Sequence, residues 1–243
     1  MKDERTVSEA IQARRSVRIF EQDLLDTEKV KECIRLATLA PNSSNMQLWE
    51  FYHITSSKML KDVSRLCMDQ NASKNARQMV VVVVRKDLWY RRSKSNAANR
   101  RRLFGNKPFD EYSKREKDGI NYFTKVMPIL YFDFLGLFGF IKWMIAQVTG
   151  LFRPMYRQVT QGDMRVVAHK SAALAAENFM ISMSAIHYDT CPMEGFDSLR
   201  LKRLLGLPYG AEISMVIGCG IRTEEGIYAP QFRVPFEEVY FER

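Results

Sequence analysis

Four cysteines and three histidines are all that this chain of 243 residues offers to metal or thiol chemistry. Cys33, Cys67, Cys191 and Cys219 form no CxxC pair and have no histidine at metal-ligand spacing, which removes zinc sites and dithiol redox motifs from the candidate functions. They read as reduced, mostly buried thiols of a cytosolic protein. His53, His169 and His187 fall in an expected strand and an expected buried helix, where a hydrogen-bonded structural role is the ordinary one. No Ser-His-Asp order, metal motif or Walker loop is present. The segment Met1-Lys2-Asp3-Glu4-Arg5 is not followed by the apolar stretch of a signal peptide, so export is not expected and a cytoplasmic location is. Internal repeats and low-complexity linkers are also missing, which argues against solenoids and disordered tethers.

Hydrophobic residues make up 46% of the chain and charged residues 27%, a balance that sets disorder aside. A chain of 243 residues can bury a full core as one domain, and a single domain over 1–243 is expected. The formal net charge of +9 favours anionic partners such as phosphorylated cofactors, nucleic acid or membrane surfaces. Charge alone does not choose among them.

Thr6 and Glu9 have capping-box spacing and Val7, Ala10 and Ile11 begin an apolar face, which predicts a helix over about 6–16 with a basic cluster at its C-terminal end. Asp26 or Thr27 caps a second helix whose Val30, Cys33, Ile34 and Ala37 follow the i, i+3, i+4, i+7 rule, with Pro41 as its stop. A strand is predicted over 49–55 and a helix over 57–67 with Leu60, Val63, Leu66 and Cys67 inward. The run from Met79 to Val84 is continuously apolar and β-branched, so it reads as a central strand covered on both faces. A long helix rich in Ala and Met is predicted over 163–187, apolar over much of its circumference and suited to burial or to an oligomer interface. Another buried strand follows at 213–218, and the tail 235–243 reads as extended, either pairing with a sheet edge or fraying. The fold class is α+β, a mixed central sheet flanked by helices.

The middle of the chain departs from this pattern. Residues 90–102 are crowded with Arg and Lys and have little apolar periodicity; a solvated loop or helix face is the ordinary reading, an RNA or anionic-lipid patch the alternative, and no RNA-binding signature supports nucleic acid. Residues 129–152 are apolar and long enough to cross a bilayer, yet Asp133, Lys142 and Gln147 lie inside, and Gly136, Gly139 and Gly150 interrupt the run. A charge near the bilayer centre is unfavourable by roughly 2.5 to 3.5 kcal/mol. A lid or dimer cover is favoured over peripheral membrane contact, and both over a span. The region 88–160 is accordingly an atypical, lid-like insertion.

Two segments carry the chemistry. Arg14, Arg15, Ser16 and Arg18 form a basic cluster around a hydroxyl, which suits a phosphate because guanidinium forks supply charged donors and Ser a neutral one. Pro41, Asn42, Ser43, Ser44, Asn45, Met46, Gln47, Leu48 and Trp49 form an amide-rich loop, fit for a flat polar heterocycle. Each alone is ordinary: a solvated helix face, and a loop of turn-forming residues. Their order and spacing resemble the flavin signature of the nitroreductase family. Cys191-Pro192-Met193-Glu194-Gly195-Phe196-Asp197 is similar to that family's Pro-x-Glu-Gly-Phe turn, and 218–222 with 230–235 are similar to its final strand and basic loop. The first and last thirds are matched; the middle is not.

The resemblance implies an intertwined homodimer with FMN at the subunit interface, Arg14, Arg15, Ser16, Arg18 and Arg233 on the ribityl phosphate, and Gln231 where the family often has Lys. It implies that Asn45 and Gln47, with 41–44, reach the partner subunit's flavin, and that Gln70 or Asn71 touches the pyrimidine edge. Pro192, Met193, Glu194 and Gly195 would lie along the ring, with Glu194 and Gly195 near N5 through backbone atoms; a residue without Cβ lets the main chain approach closely. Leu48 stands where the family has Pro, and Met46 where Ser or Thr is commoner. The implied activity is transfer of reducing equivalents from NAD(P)H through FMN to nitroaromatic, quinone or similar small-molecule acceptors, with no metal. A reductive dehalogenase-like enzyme and a non-catalytic flavin-binding or membrane-peripheral protein are the alternatives.

Overall fold

Five consecutive valines, Val80 to Val84, decide where the sheet sits, because β-branched side chains pack well on a pleated surface and poorly in a surface helix. The computed structural model describes residues 3–134 and 136–243. In it strand β2 (Gln78–Val84) is buried at every position and lies inside a four-stranded sheet with β1 (Trp49–Ile54), β3 (Asp189–Met193) and β4 (Glu212–Gly220), in the order β1-β2-β4-β3. All ladder pairs are antiparallel; the parallel component is a single bridge between Ser16 and Thr190. Successive side chains of β2 alternate between two cores, Val80, Val82 and Val84 on one face and Met79, Val81 and Val83 on the other. Each fully buried valine contributes roughly 1.5 kcal/mol or more of hydrophobic stabilisation.

Helix α1 (Val7–Ala13) starts at the expected Thr6–Glu9 capping box but ends three residues before Ser16, where Arg14 turns to extended backbone. The pairing of Ser16 and Val17 with Thr190 on the sheet edge overrides helix continuation. Helix α2 (Thr27–Ala37), capped by Asp26, ends before Pro41 rather than at it. Together with α9 (Gln161–Ala185) it covers the Val80 face. The other face packs against α3 (Ser57–Leu66), α4 (Asn71–Asn75) and α10 (Ser198–Leu204). Helix α9 begins earlier than expected because Thr160 and Asp163 form a further capping box, and His187 lies just beyond its end at φ 66°. Pro192 sits in β3, an edge strand, where a missing N–H breaks no interior ladder. The tail forms one 3-10 turn, Phe236–Glu238, and is exposed without joining the sheet.

The middle region is helical. The basic stretch becomes α5 (Trp89–Leu103), followed by α6 (Lys114–Asn121), a π turn over Tyr122–Val126 and α7 (Met127–Tyr131). The apolar stretch is broken after Tyr131, and α8 (Leu137–Thr149) starts at Gly136, whose φ of 82° suits glycine. Among the described residues no helix is long and apolar enough to cross a membrane. All four cysteines are free and buried; burial pushes the Cys33 thiol up to about 12 and Cys67 to about 11.

Candidate functional site

The end of α1 is stitched to the sheet by main-chain bonds that leave the basic side chains free. Val17 N donates to Thr190 O at 3.1 Å, Arg18 N to Gly226 O at 2.9 Å and Glu21 N to Ile221 O at 2.8 Å. Val17 and Phe20 turn into the core, while Arg14, Arg15 and Ser16 are half-buried and Arg18 is exposed. Arg222 locks the arrangement: its guanidinium pairs with the buried Asp189 carboxylate, its own amide donates to Asp189 at 2.9 Å, and Nη2 donates to Ala13 O at 3.0 Å. Two glycines permit the close approach. A Cβ at Gly220 would lie 2.5 Å from the Phe20 ring, and one at Gly226 would lie 2.5 Å from Ile19 O.

These segments line a cleft of about 430 Å³ formed by Arg14, Arg15, Ser16, Arg18 and residues 227–233. It has no acidic residue in its wall. The guanidiniums bond chiefly to neutral carbonyls, Arg15 Nη1 to Gln12 O at 2.5 Å and Arg14 O at 2.9 Å, and Arg18 Nη1 to Ser16 O at 3.2 Å. One carboxylate, Glu177, approaches Arg14 at 3.8 Å. The cleft therefore holds uncompensated positive charge and unused donors, the properties that recognise a phosphate. Burial raises the Cys191 thiol despite the opposing pull of Arg18 and Arg14.

Gln231 and Arg233 line the same cleft as Arg14, Arg15, Ser16 and Arg18. Tyr228 is a wall residue that sequence reasoning missed. Its ring lies 5.1 Å under the Arg18 guanidinium and its hydroxyl accepts from Asn71 Nδ2 at 2.6 Å. No local pattern links positions so far apart in the chain. Asn71 is thus tied to the cleft, whereas Gln70 Nε2 donates to Gly195 O at 2.7 Å and Cys67 O at 2.9 Å and holds the Glu194–Gly195 turn. Glu194 and Gly195 are exposed, Pro192 is half-buried and Met193 is buried, so Met193 can offer a ligand only its main chain. A Cβ at Gly195 would meet only the tip of Gln70, at 3.3 Å, so packing within the chain does not demand glycine there.

The loop at 41–47 is built differently. Ser44, Asn45 and Gln47 all take left-handed backbone, with φ of 52°, 51° and 48°, strain of the kind that concentrates at binding sites. Asn42 Oδ1 supports it by accepting from Gln47 N at 2.8 Å. Ser43 N donates to Ser171 Oγ on α9 at 3.4 Å, Ser44 Oγ lies 2.7 Å from Tyr122 OH, and Asn45 Nδ2 donates to Asn96 Oδ1 at 3.0 Å. Met46 and Leu48, two of the three departures from the family pattern, are buried in the core on the Val80 face. The loop thus leans on α9, α5 and the π turn, and none of these polar contacts reaches 14–18 or 227–233.

The three histidines are hydrogen-bonded outside the cleft. His53 pairs with Gln78 Oε1 at 2.7 Å and His187 donates to Asp3 O at 2.9 Å. His169 sits 3.3 Å from both Ser214 Oγ and Glu212, whose carboxylate Arg165 also binds.

Comparison with known proteins identifies the family and the fold. The model of the nitroreductase family matches residues 11–221. Protein DrgA of Synechocystis sp. is 25% identical over 218 residues, which cover 89% of this chain and 84% of that one. Among solved structures, a nitroreductase family protein from Streptococcus pneumoniae superposes with a TM-score of 0.67 at 18% identity, covering 98% of this chain and 100% of that one. A protein of Exiguobacterium sibiricum solved in complex with FMN superposes with a TM-score of 0.68 at 17% identity, covering 100% and 99%. These structures share the fold.

Proposed function

The chain belongs to the nitroreductase family, and on that premise we propose that it is an FMN-dependent oxidoreductase passing reducing equivalents from NAD(P)H to electron-poor acceptors such as nitroaromatics or quinones. The observation that carries this reading is the cleft in which Arg14, Arg15, Ser16, Arg18, Gln231 and Arg233 converge with no acidic wall residue. Its donors fit a phosphate monoester, and the likeness to a fold solved with FMN supports the choice of flavin. When bound, FMN supplies the hydride acceptor and the electron donor of the two half-reactions. Arg14, Arg15, Arg18 and Arg233 would hold its phosphate. The Glu194–Gly195 turn, braced by Gln70, would offer main-chain groups beside the ring.

The separation of the 41–47 loop from the cleft supports a homodimer in which each flavin site takes its phosphate end from one subunit and its amide-rich loop from the other. Contacts of Ser44 with Tyr122 and of Asn45 with Asn96 support the role of 88–160 as a lid appended to one domain. The proposed location is the cytoplasm.

The visible spectrum of the purified protein tests the reading. Flavin bands that bleach anaerobically on addition of NADH or NADPH are expected, and a colourless protein that takes up no FMN would overturn it. Arg14→Ala and Arg18→Ala should each weaken FMN binding about tenfold, or about 1.4 kcal/mol, while leaving the melting temperature of the flavin-free protein close to the parent's. Full flavin retention in both variants would remove these residues from the site.

A further inference from the structure

Helix α8 inverts the polarity of an ordinary surface helix. Gly139, Lys142 and Ala146, spaced i, i+3, i+7, form its covered face, while Phe140, Ile141, Trp143, Met144, Ile145 and Val148 are exposed to solvent. The exposed surface continues through Leu151 at 77% and Phe152 at 84% relative exposure. Scattered apolar residues need no explanation, but a contiguous patch of this kind marks an interaction surface.

The polar groups of the same hairpin are consumed internally. Lys142 Nζ donates to the carbonyls of Ile129, Leu130 and Phe132 at 3.0, 2.9 and 3.0 Å, closing the C-terminus of α7. Asp133 Oδ1 accepts from Gly139 N at 2.8 Å at the start of α8. Arg157 donates to Gln147 Oε1 at 2.5 Å and to Gly150 O at 2.7 Å, closing its end. Backbone and side-chain groups satisfied in this way leave an outer face that tolerates removal from water. At 13 residues, α8 is about 20 Å long, too short to span a bilayer and suited to lying in its interface.

Charge selects the occupant. Helix α5 is held to this stem by Ser93 Oγ donating to Phe123 O at 2.5 Å and by stacking of Trp89 on Tyr131, with centroids 6.2 Å apart. It carries Arg91, Arg92, Lys94, Arg100, Arg101 and Arg102 and no acidic residue. Lys125 and Arg153, both exposed, flank the hairpin. A second copy seated on this face through the same hairpin would set the α5 cations against their own kind, whichever other surface a homodimer uses; an anionic bilayer complements them. We propose that the hairpin of α7, α8 and the following residues to 156 docks this protein on anionic lipid surfaces, with the α8 face in the interface and α5 against the headgroups. This goes beyond the flavin reading and stands without it.

Flotation of the full chain with vesicles of phosphatidylcholine, or of phosphatidylcholine and phosphatidylglycerol in equal parts, tests the proposal. The protein should float with the anionic vesicles, with a blue shift of tryptophan emission that Trp143→Phe abolishes. The double variant Ile141→Glu, Ile145→Glu should reduce the bound fraction at least about tenfold while keeping the circular dichroism spectrum, elution volume and flavin content of the parent. Arg100→Glu with Arg101→Glu should weaken flotation on the anionic vesicles. The proposal is overturned by absence of flotation at low salt, by unchanged flotation of the Ile141, Ile145 variant, or by a parent oligomer that this variant dissociates without any vesicle binding, since a second copy would then cover the face.

Discussion

The basic cleft and the apolar hairpin both break the rules of an ordinary surface, and they are held in opposite ways. The cleft is tied by long-range bonds, Arg222 to Asp189 and to Ala13, Arg18 to Gly226 and Asn71 to Tyr228, each joining segments distant in sequence. The bonds of Lys142, Asp133 and Arg157 that shape the hairpin stay within 129–157, and α9 adds one tie at its base, Gln161 Nε2 donating to Tyr131 O at 2.9 Å. Long-range bonds couple a site to the global fold, whereas a locally bonded element can open or move alone. A site whose charges must converge from several segments needs the first construction. A docking element that must adapt to its partner can use the second.

Asp189 is the point at which the cleft is most strongly tied to the fold. Asp189→Ala removes the acceptor shared by the half-buried Arg222 guanidinium and the Arg222 amide, and loss of these charge-assisted bonds should lower stability by about 3 kcal/mol; a urea midpoint equal to the parent's would show that the cleft is not coupled to the fold. Gly226→Ala forces a Cβ to within 2.5 Å of Ile19 O, a backbone atom that cannot swing aside. The cost should be about 2 kcal/mol, with weakened flavin uptake, and a thermal midpoint matching the parent's would refute the close fit. Lys142→Met removes the donor shared by three carbonyls and should cost about 1.5 kcal/mol, confined to the hairpin. Hydrogen exchange should then quicken over 127–149 and nowhere in β2; uniform acceleration would mean that the hairpin is not autonomous. Ile145→Ser, on the exposed face, should change global stability by less than about 0.5 kcal/mol. A larger loss in a dilute monomer, followed by denaturant titration, would place that face inside the fold.

Much of this was legible in the sequence wherever the physics is local. The Thr6–Glu9 box, the Asp26 cap, the valine strand and the long helix α9 follow from hydrogen-bond spacing and side-chain periodicity, although α9 is only partly buried and keeps Val166 and Leu174 exposed. The convergence of Arg14 to Arg18 with Gln231 and Arg233 came from family resemblance; composition gave only an excess of positive charge. Where α1 stops, what Gln70 braces and that Tyr228 joins the cleft were not legible, because each depends on a partner that no local pattern names. The 129–152 stretch shows the same limit. Its glycines foretold an interruption, but nothing local said that Lys142 would turn inward and leave the apolar residues outside.

The α+β class, the central strand, the starts of α1, α2 and α3 and the excess of positive charge are readable along the chain, since they rest on propensity, capping and net charge within a few residues. Only the tertiary structure decided which charges share a cleft, that the amide-rich loop stands apart from it, and which face of α8 meets solvent. Those outcomes depend on long-range pairing, in which Ser16, Arg222 and Gly226 each place groups far away in the chain.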